Sequence, residues 1–186
     1  MKTVKTTLSL VSAGIISALA ASSAYSSDLV ISGVIDGSLS GGVPKAVELF
    51  VVNDIADLSV YGVGSANNGG GSDGQEFTFP AQAAEAGTYI YVASEEDGFT
   101  AFFGDAPDFT SSAMGINGDD AVELFKDGNV VDTFGDINVD GNGTAWEYLD
   151  GWAYRVNGES ANAGSFDPTN WTFSGVDALD GEDNNA

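Results

Sequence analysis

The sequence predicts an all-β fold, a β-sandwich with one or two short helical turns. From Asp28 onward, short runs of β-branched and aromatic residues alternate with clusters of Gly, Asn, Asp and Ser, which is the punctuation of strands and turns. The number and spacing of these runs suit two packed sheets. The segment "KDGNVVDTF" is the clearest hairpin, because Asp127-Gly128 favours the turn geometry that matches strand twist and apolar residues flank it on both sides.

The elements follow in order. Strands are expected at Leu29 to Ile35, Ala46 to Val52, Leu58 to Val63, Glu76 to Phe79, Thr88 to Ala93, Ala121 to Lys126, Val130 to Phe134 and Trp152 to Val156. A short helix is expected at Gly98 to Phe103, where Glu95, Glu96 and Asp97 occupy the positive end of the helix dipole. A single helical turn is expected after Asp167-Pro168. Trp171, which follows "FDPTN", is expected to pin the C-terminal segment to the sandwich.

Composition fixes the setting. Lys2 and Lys5, the apolar and small residues from Leu8 to Ala21, and a small-residue cleavage site near Ser26 predict that residues 1–26 are a signal peptide, so the protein is expected to be secreted, periplasmic or extracellular. Residues 27–175 are then one domain, and the polar, acidic residues 176–186 are expected to fray as a flexible tail. After cleavage the chain from residue 27 to 186 keeps Lys45, Lys126 and Arg155 against 28 acidic residues, hence −25. Such a surface repels phosphate backbones, which disfavours direct nucleic-acid binding. The chain has no Cys, so outside the cell packing, alone or with bound ions, must hold it together. It has no His, which removes the usual general base, the Ser-His and Cys-His nucleophiles and the usual zinc sites.

Taken together, "LVISGV", "PKAVELF" with Asn53 beyond it, "IADLSVYG", "EFTFP", "AGTYIYVA" and "INGDDAVELFKDGNVVDTFG" resemble the lamin-tail domain as found in secreted bacterial proteins. The resemblance covers most of Leu29 to Gly135 and implies an immunoglobulin-like β-sandwich. It departs at Ser32-Gly33, where Ser-Glu is usual, and at Val60-Tyr61, where Gly and an aromatic more often follow. Such domains often accompany secreted nucleases or phosphatases. The resemblance itself reaches no catalytic domain, so it implies a non-catalytic binding module for an extracellular macromolecule. The alternative is an accessory component of a secreted nuclease system.

The sharpest chemical motif begins at Asp136. Asp136, Asn138, Asp140, Gly141 and Glu147 match D-x-[DN]-x-[DN]-G-x5-E, a calcium loop otherwise found between helices. By that pattern the ligands are the side chains of Asp136, Asn138 and Asp140, the carbonyl of Asn142, Thr144 through water, and Glu147, with Gly141 at the sharp turn. Oxygen-only ligands on a flexible loop suit Ca2+ over zinc or magnesium, with weak affinity on the order of 0.1 to 1 mM as in extracellular modules. The competing reading is a polar turn rich in Asp, Asn and Gly.

Other constellations are less specific. The loop "GSANNGGGSDGQ" from Gly64 to Gln75 lacks the G-K-[ST] ending that engages phosphate and reads as a mobile connection. "AVELF" occurs at Ala46 to Phe50 and at Ala121 to Phe125, so Glu48 and Glu123 are either solvent-side acids or a paired site. Asp119-Asp120 and Glu95-Glu96 are adjacent pairs, and on a strand neighbouring side chains face apart, which is poor geometry for joint catalysis. Trp146, Tyr148, Trp152 and Tyr154 fall at even spacing, and a strand would place Trp152 and Tyr154 on one face. These rings either cap the core or form a platform for a sugar or peptide, with Arg155 stacking or pairing nearby.

Overall fold

A computed structural model describes residues 27–156 and 160–185; the expected signal peptide lies outside them. The strands are β1 (Leu29–Leu39), β2 (Val43–Val51), β3 (Tyr61–Ala66), β4 (Phe77–Thr78), β5 (Tyr89–Ala93), β6 (Phe109–Thr110), β7 (Ala121–Lys126), β8 (Asn129–Phe134), β9 (Gly151–Arg155) and β10 (Trp171–Phe173). A six-stranded sheet in the order β10-β9-β1-β2-β5-β6 packs on a four-stranded sheet in the order β4-β3-β7-β8. The expected all-β sandwich is therefore the architecture.

Its core follows from strand alternation. Val47, Leu49 and Val51 of β2 and Val63, Val122 and Leu124 of the facing sheet are fully withdrawn from solvent. Burial of each such side chain contributes about 1.5–3 kcal/mol. β1 changes parity on the way. Leu29 and Ile31 point inward, a register shift inserts Ser32, and Val34 takes the next inward place. A bulge re-aims side chains in this manner, and here it turns Gly33 and Ile35 to the outer face. At one end of the core Phe134 gathers four rings, Trp171 at 4.8 Å, Tyr148 at 5.3 Å, Phe166 at 5.5 Å and Trp146 at 6.1 Å between centroids, all edge-on. Edge-to-face contact is the arrangement that ring quadrupoles favour.

The hairpin forms as its sequence requires. Asp127 (φ 51°) and Gly128 (φ 75°) both take left-handed conformations, and Lys126 pairs with Asn129 across the turn. The helix α1 (Glu96–Phe103) begins two residues earlier than expected, because Glu95 caps it by accepting a hydrogen bond from the Gly98 N–H. The turn after Asp167 is present over Pro168–Asn170.

Two expectations are corrected, and two short strands were not expected at all. The strand expected from Leu58 starts at Tyr61, because the Asp57 carboxylate accepts from the Ser59 N–H and winds Leu58–Val60 into a 3-10 turn. Strands β6 and β10 have only two and three residues, too few to produce a readable alternation. The segment 176–185 does not leave the domain. Leu179 is buried, its N–H donates to the Asp150 carbonyl at 2.9 Å, the Asp177 N–H donates to the Leu149 carbonyl at 2.9 Å, and the Asn185 N–H donates to Phe102 at 3.1 Å. One apolar side chain in an acidic run anchors it.

Candidate functional site

The outer face of the six-stranded sheet carries two rows of side chains set by strand register. In the first row Trp152 (β9), Ile35 (β1), Ala46 (β2) and Ala93 (β5) lie side by side. The aromatic residues Phe99 and Phe102 of α1, together with Leu179 from the C-terminal segment, cover this row and close a second small core. In the next row Tyr154, Gly33, Glu48 and Tyr91 lie side by side on the same strands. Phe99 touches the Tyr91 ring at 5.8 Å between centroids, while Tyr154 at the other end of the row stays exposed. A groove of about 650 Å³ runs between α1 and the C-terminal segment over this row, within the size range of ordinary ligand sites.

Each wall of the groove has a physical origin. Trp152 and Tyr154, two residues apart on β9, share a face, and their rings stack at 5.2 Å with an interplanar angle of 18°. Trp152 leans on the second core while Tyr154 remains 48% exposed. On the other side Glu48 is held upright: the Ser32 hydroxyl donates to its Oε1 at 2.7 Å and the Tyr91 hydroxyl to its Oε2 at 2.9 Å. The bulge that inserts Ser32 is what supplies the first of these donors. Burial, with Glu48 next in effect, pushes the Tyr91 phenol far above its ordinary range, so it stays a donor. Between Glu48 and Tyr154 stands Gly33, where a Cβ would meet Ala153 and Glu48 atoms at 3.4–3.6 Å, ordinary contact distances. Neighbouring strands are about 4.8 Å apart, so the missing side chain leaves a slot between ring and carboxylate.

The expected split of the aromatic residues thus resolves by pairs. Trp146 and Tyr148 are core, whereas Trp152 and Tyr154 form the wall of the groove. Arg155 both pairs with Asp132 and stacks on Trp171, at 2.6 Å and 4.6 Å respectively.

The loop 136–147 forms a chain of local turns. Asp136 accepts from the Asn138 N–H at 3.0 Å, Asp140 from the Asn142 N–H at 2.9 Å, and Glu147 from the Gly143 N–H at 2.7 Å. Thr144 donates its hydroxyl to the Gly141 carbonyl at 2.7 Å. Asp136, Asp140 and Glu147 therefore each commit a carboxylate oxygen to the backbone, and they do not converge as a group of three. Gly141 has a reason to be glycine apart from any ion, since a Cβ there would meet the Trp146 ring at 2.6 Å. Asp140 approaches Asp119, whose carboxyl is raised above the usual range by burial, with Asp120 and then Asp140 adding to the effect.

Among the described residues one set of three carboxylates does converge, with an oxygen of each within 4.8 Å: Asp150, Asp177 and Asp180, where the C-terminal segment docks. Sequence reasoning passed over this set because Asp150 lies 27 positions from Asp177, and only the docked segment brings them together.

Three other acids, Glu95, Asp120 and Glu123, make contacts that serve the fold. Glu95 caps α1. Asp120 accepts from the main-chain N–H groups of Asn68 and Asn117, at 2.8 and 2.7 Å. Glu48 and Glu123 lie in different sheets and form no paired site, and neither is a freely solvated acid: Glu123 is buried under the Gly-rich loop, where Ser72 donates to it. That loop is held to the domain rather than spanning solvent, with the Gly71 N–H donating to Ile137 at 2.8 Å.

No family model, curated protein or solved structure matches this chain.

Proposed function

We propose that this protein is a secreted, non-catalytic binding module of the lamin-tail type, which holds an extracellular macromolecule in the groove over β9, β1, β2 and β5. The observation that supports it is the Trp152–Tyr154 stack facing the propped carboxylate of Glu48 across Gly33. Folding does not account for this row. Tyr154 gains little by burial, and aromatic rings left at a concave surface are the usual anchors of interfaces. The absence of His and the scarcity of basic side chains leave few groups to stabilise a phosphoryl or acyl transition state, which favours binding over reaction. Calcium is the stabilising ion in this reading, taken by the loop 136–147 through the carboxylate oxygens of Asp136 and Asp140 not engaged in their turns.

The test is a binding screen of the purified secreted protein against arrayed glycans and peptides, run in parallel with Tyr154→Ala. Retained fold with loss of the array signal in the variant is the expected result. A signal indifferent to Tyr154→Ala would place the binding face elsewhere.

A further inference from the structure

Glu48 is a half-buried carboxylate without a counter-ion. Its partners are two neutral hydroxyls, Ser32 and Tyr91. The three basic residues among the described ones are all engaged by aspartates: Lys45 by Asp36, Lys126 by Asp28 and Arg155 by Asp132. No Lys or Arg lines the groove, whereas a second acid, Glu182, stands at its rim. A charge withdrawn from water normally has an opposite charge beside it, and among the described residues none stands beside Glu48.

Resting on the reading of this groove as the binding face, we infer that it takes the arginine side chain of a basic partner peptide, with the guanidinium in the slot over Gly33 between the Tyr154 ring and the Glu48 carboxylate. Three features select that group. A guanidinium is flat, so it fits a slot bounded by one aromatic ring and floored by glycine, and it stacks on aromatic faces in a manner an ammonium does not. Each carboxylate oxygen of Glu48 has accepted one hydrogen bond and retains capacity for another, so a charge-assisted pair forms without displacing Ser32 or Tyr91. The domain's large negative charge raises the local concentration of basic peptides near its surface and speeds their encounter. A neutral sugar would also stack on Tyr154, but it would leave Glu48 uncompensated.

The experiment titrates the full secreted chain with a capped pentapeptide bearing one central arginine and with the same peptide bearing citrulline, its uncharged isostere. Isothermal calorimetry at physiological ionic strength suppresses the general field of the surface. The arginine peptide is expected to bind saturably and the citrulline peptide at least about tenfold more weakly. Glu48→Gln and Gly33→Val should each weaken the arginine peptide by roughly tenfold, while Glu85→Gln, which removes an exposed charge outside the groove, should not. Gly33→Val fills the slot without removing Glu48, Ser32 or Tyr91, so it tests the site even if Glu48→Gln perturbs the sheet. Equal affinity for the two peptides, no saturable binding, or binding unchanged in Gly33→Val overturns the inference. Should a neutral glycan bind in a Tyr154-dependent way while the arginine peptide does not, the ligand class falls and the groove remains the binding face.

Discussion

Arg155 donates to the Asp132 carboxylate at 2.6 Å with both side chains withdrawn from solvent. The same carboxylate accepts from the Ile31 N–H at 2.8 Å and the Asn162 N–H at 3.0 Å, and Arg155 also donates to the Ile31 carbonyl. Asp132 lies on β8 of one sheet, while Ile31 and Arg155 lie on β1 and β9 of the other. A single ion pair thus joins the two sheets behind the groove wall that carries Tyr154.

Removing one partner leaves an uncompensated buried charge, which costs about 3–5 kcal/mol. Asp132→Ala is therefore expected to lower unfolding stability by about that amount in urea titrations. Replacing both residues with apolar ones of similar volume, Asp132→Leu with Arg155→Met, should restore much of the loss. Equal instability of the single and double variants would show that the main-chain contacts of Asp132, not the charge of Arg155, carry the junction.

The β7–β8 hairpin gives a smaller and cleaner effect. Gly128 sits at φ 75° with no atom within 4 Å of an added Cβ, so Gly128→Ala meets no steric contact and suffers only the backbone penalty of the left-handed region. A loss of about 1–2 kcal/mol is expected from thermal or urea unfolding. No change would mean that the turn relaxes to another geometry.

This hairpin was legible in the sequence because a two-residue turn and its flanking strands are encoded within nine residues. The long strands were legible for the same reason: Val47, Leu49 and Val51 alternate in plain view. The groove was legible only in half. Strand periodicity placed Trp152 and Tyr154 on one face, but Glu48, Gly33 and Tyr91 join them through register across four strands, and a bulge at Ser32 shifts that register by one. No local pattern carries that information. The docking of 176–185 was hidden by composition, since Leu179 is one large buried apolar residue in an acidic run and its burial depends on Phe99 and Phe102, 80 and 77 positions away.

Where that segment docks, stability is expected to depend on pH in an unusual direction. Burial first, then the charges of Asp36, Asp180 and Asp177, raise the Asp150 carboxyl above 3.8, against a smaller downward pull from Lys45. The folded protein holds this proton at a pH where the unfolded chain has released it. The stabilising contribution is therefore complete below the unfolded value and is lost as pH rises through the raised folded one. Asp150→Asn removes that dependence. The measurement is hydrogen exchange at the Leu179 amide, corrected for intrinsic rate, from neutral to mildly acidic pH. Protection should increase toward acid in the wild type and stay level in the variant. Parallel profiles would remove Asp150 as the cause.

Calcium is the remaining question, and two acidic loci must be told apart: the motif at Asp136 to Glu147 and the convergent set Asp150, Asp177 and Asp180. An ion that binds only the folded state stabilises it by mass action, about 1.4 kcal/mol at tenfold above the dissociation constant. For a domain of this size that corresponds to a rise of about 3–5 °C in melting temperature. If the loop is the site, Asp140→Ala abolishes the rise seen on going from chelator to millimolar calcium at matched ionic strength, and Asp150→Asn leaves it intact. The reverse pattern assigns the ion to the docked C-terminal segment, where it would also slow exchange of the Leu179 amide. Identical melting temperatures in chelator and calcium for the wild type would leave Asp136 and Asp140 with the turn-forming role their hydrogen bonds to Asn138 and Asn142 already describe, and Gly141 as the residue that lets Trp146 pack.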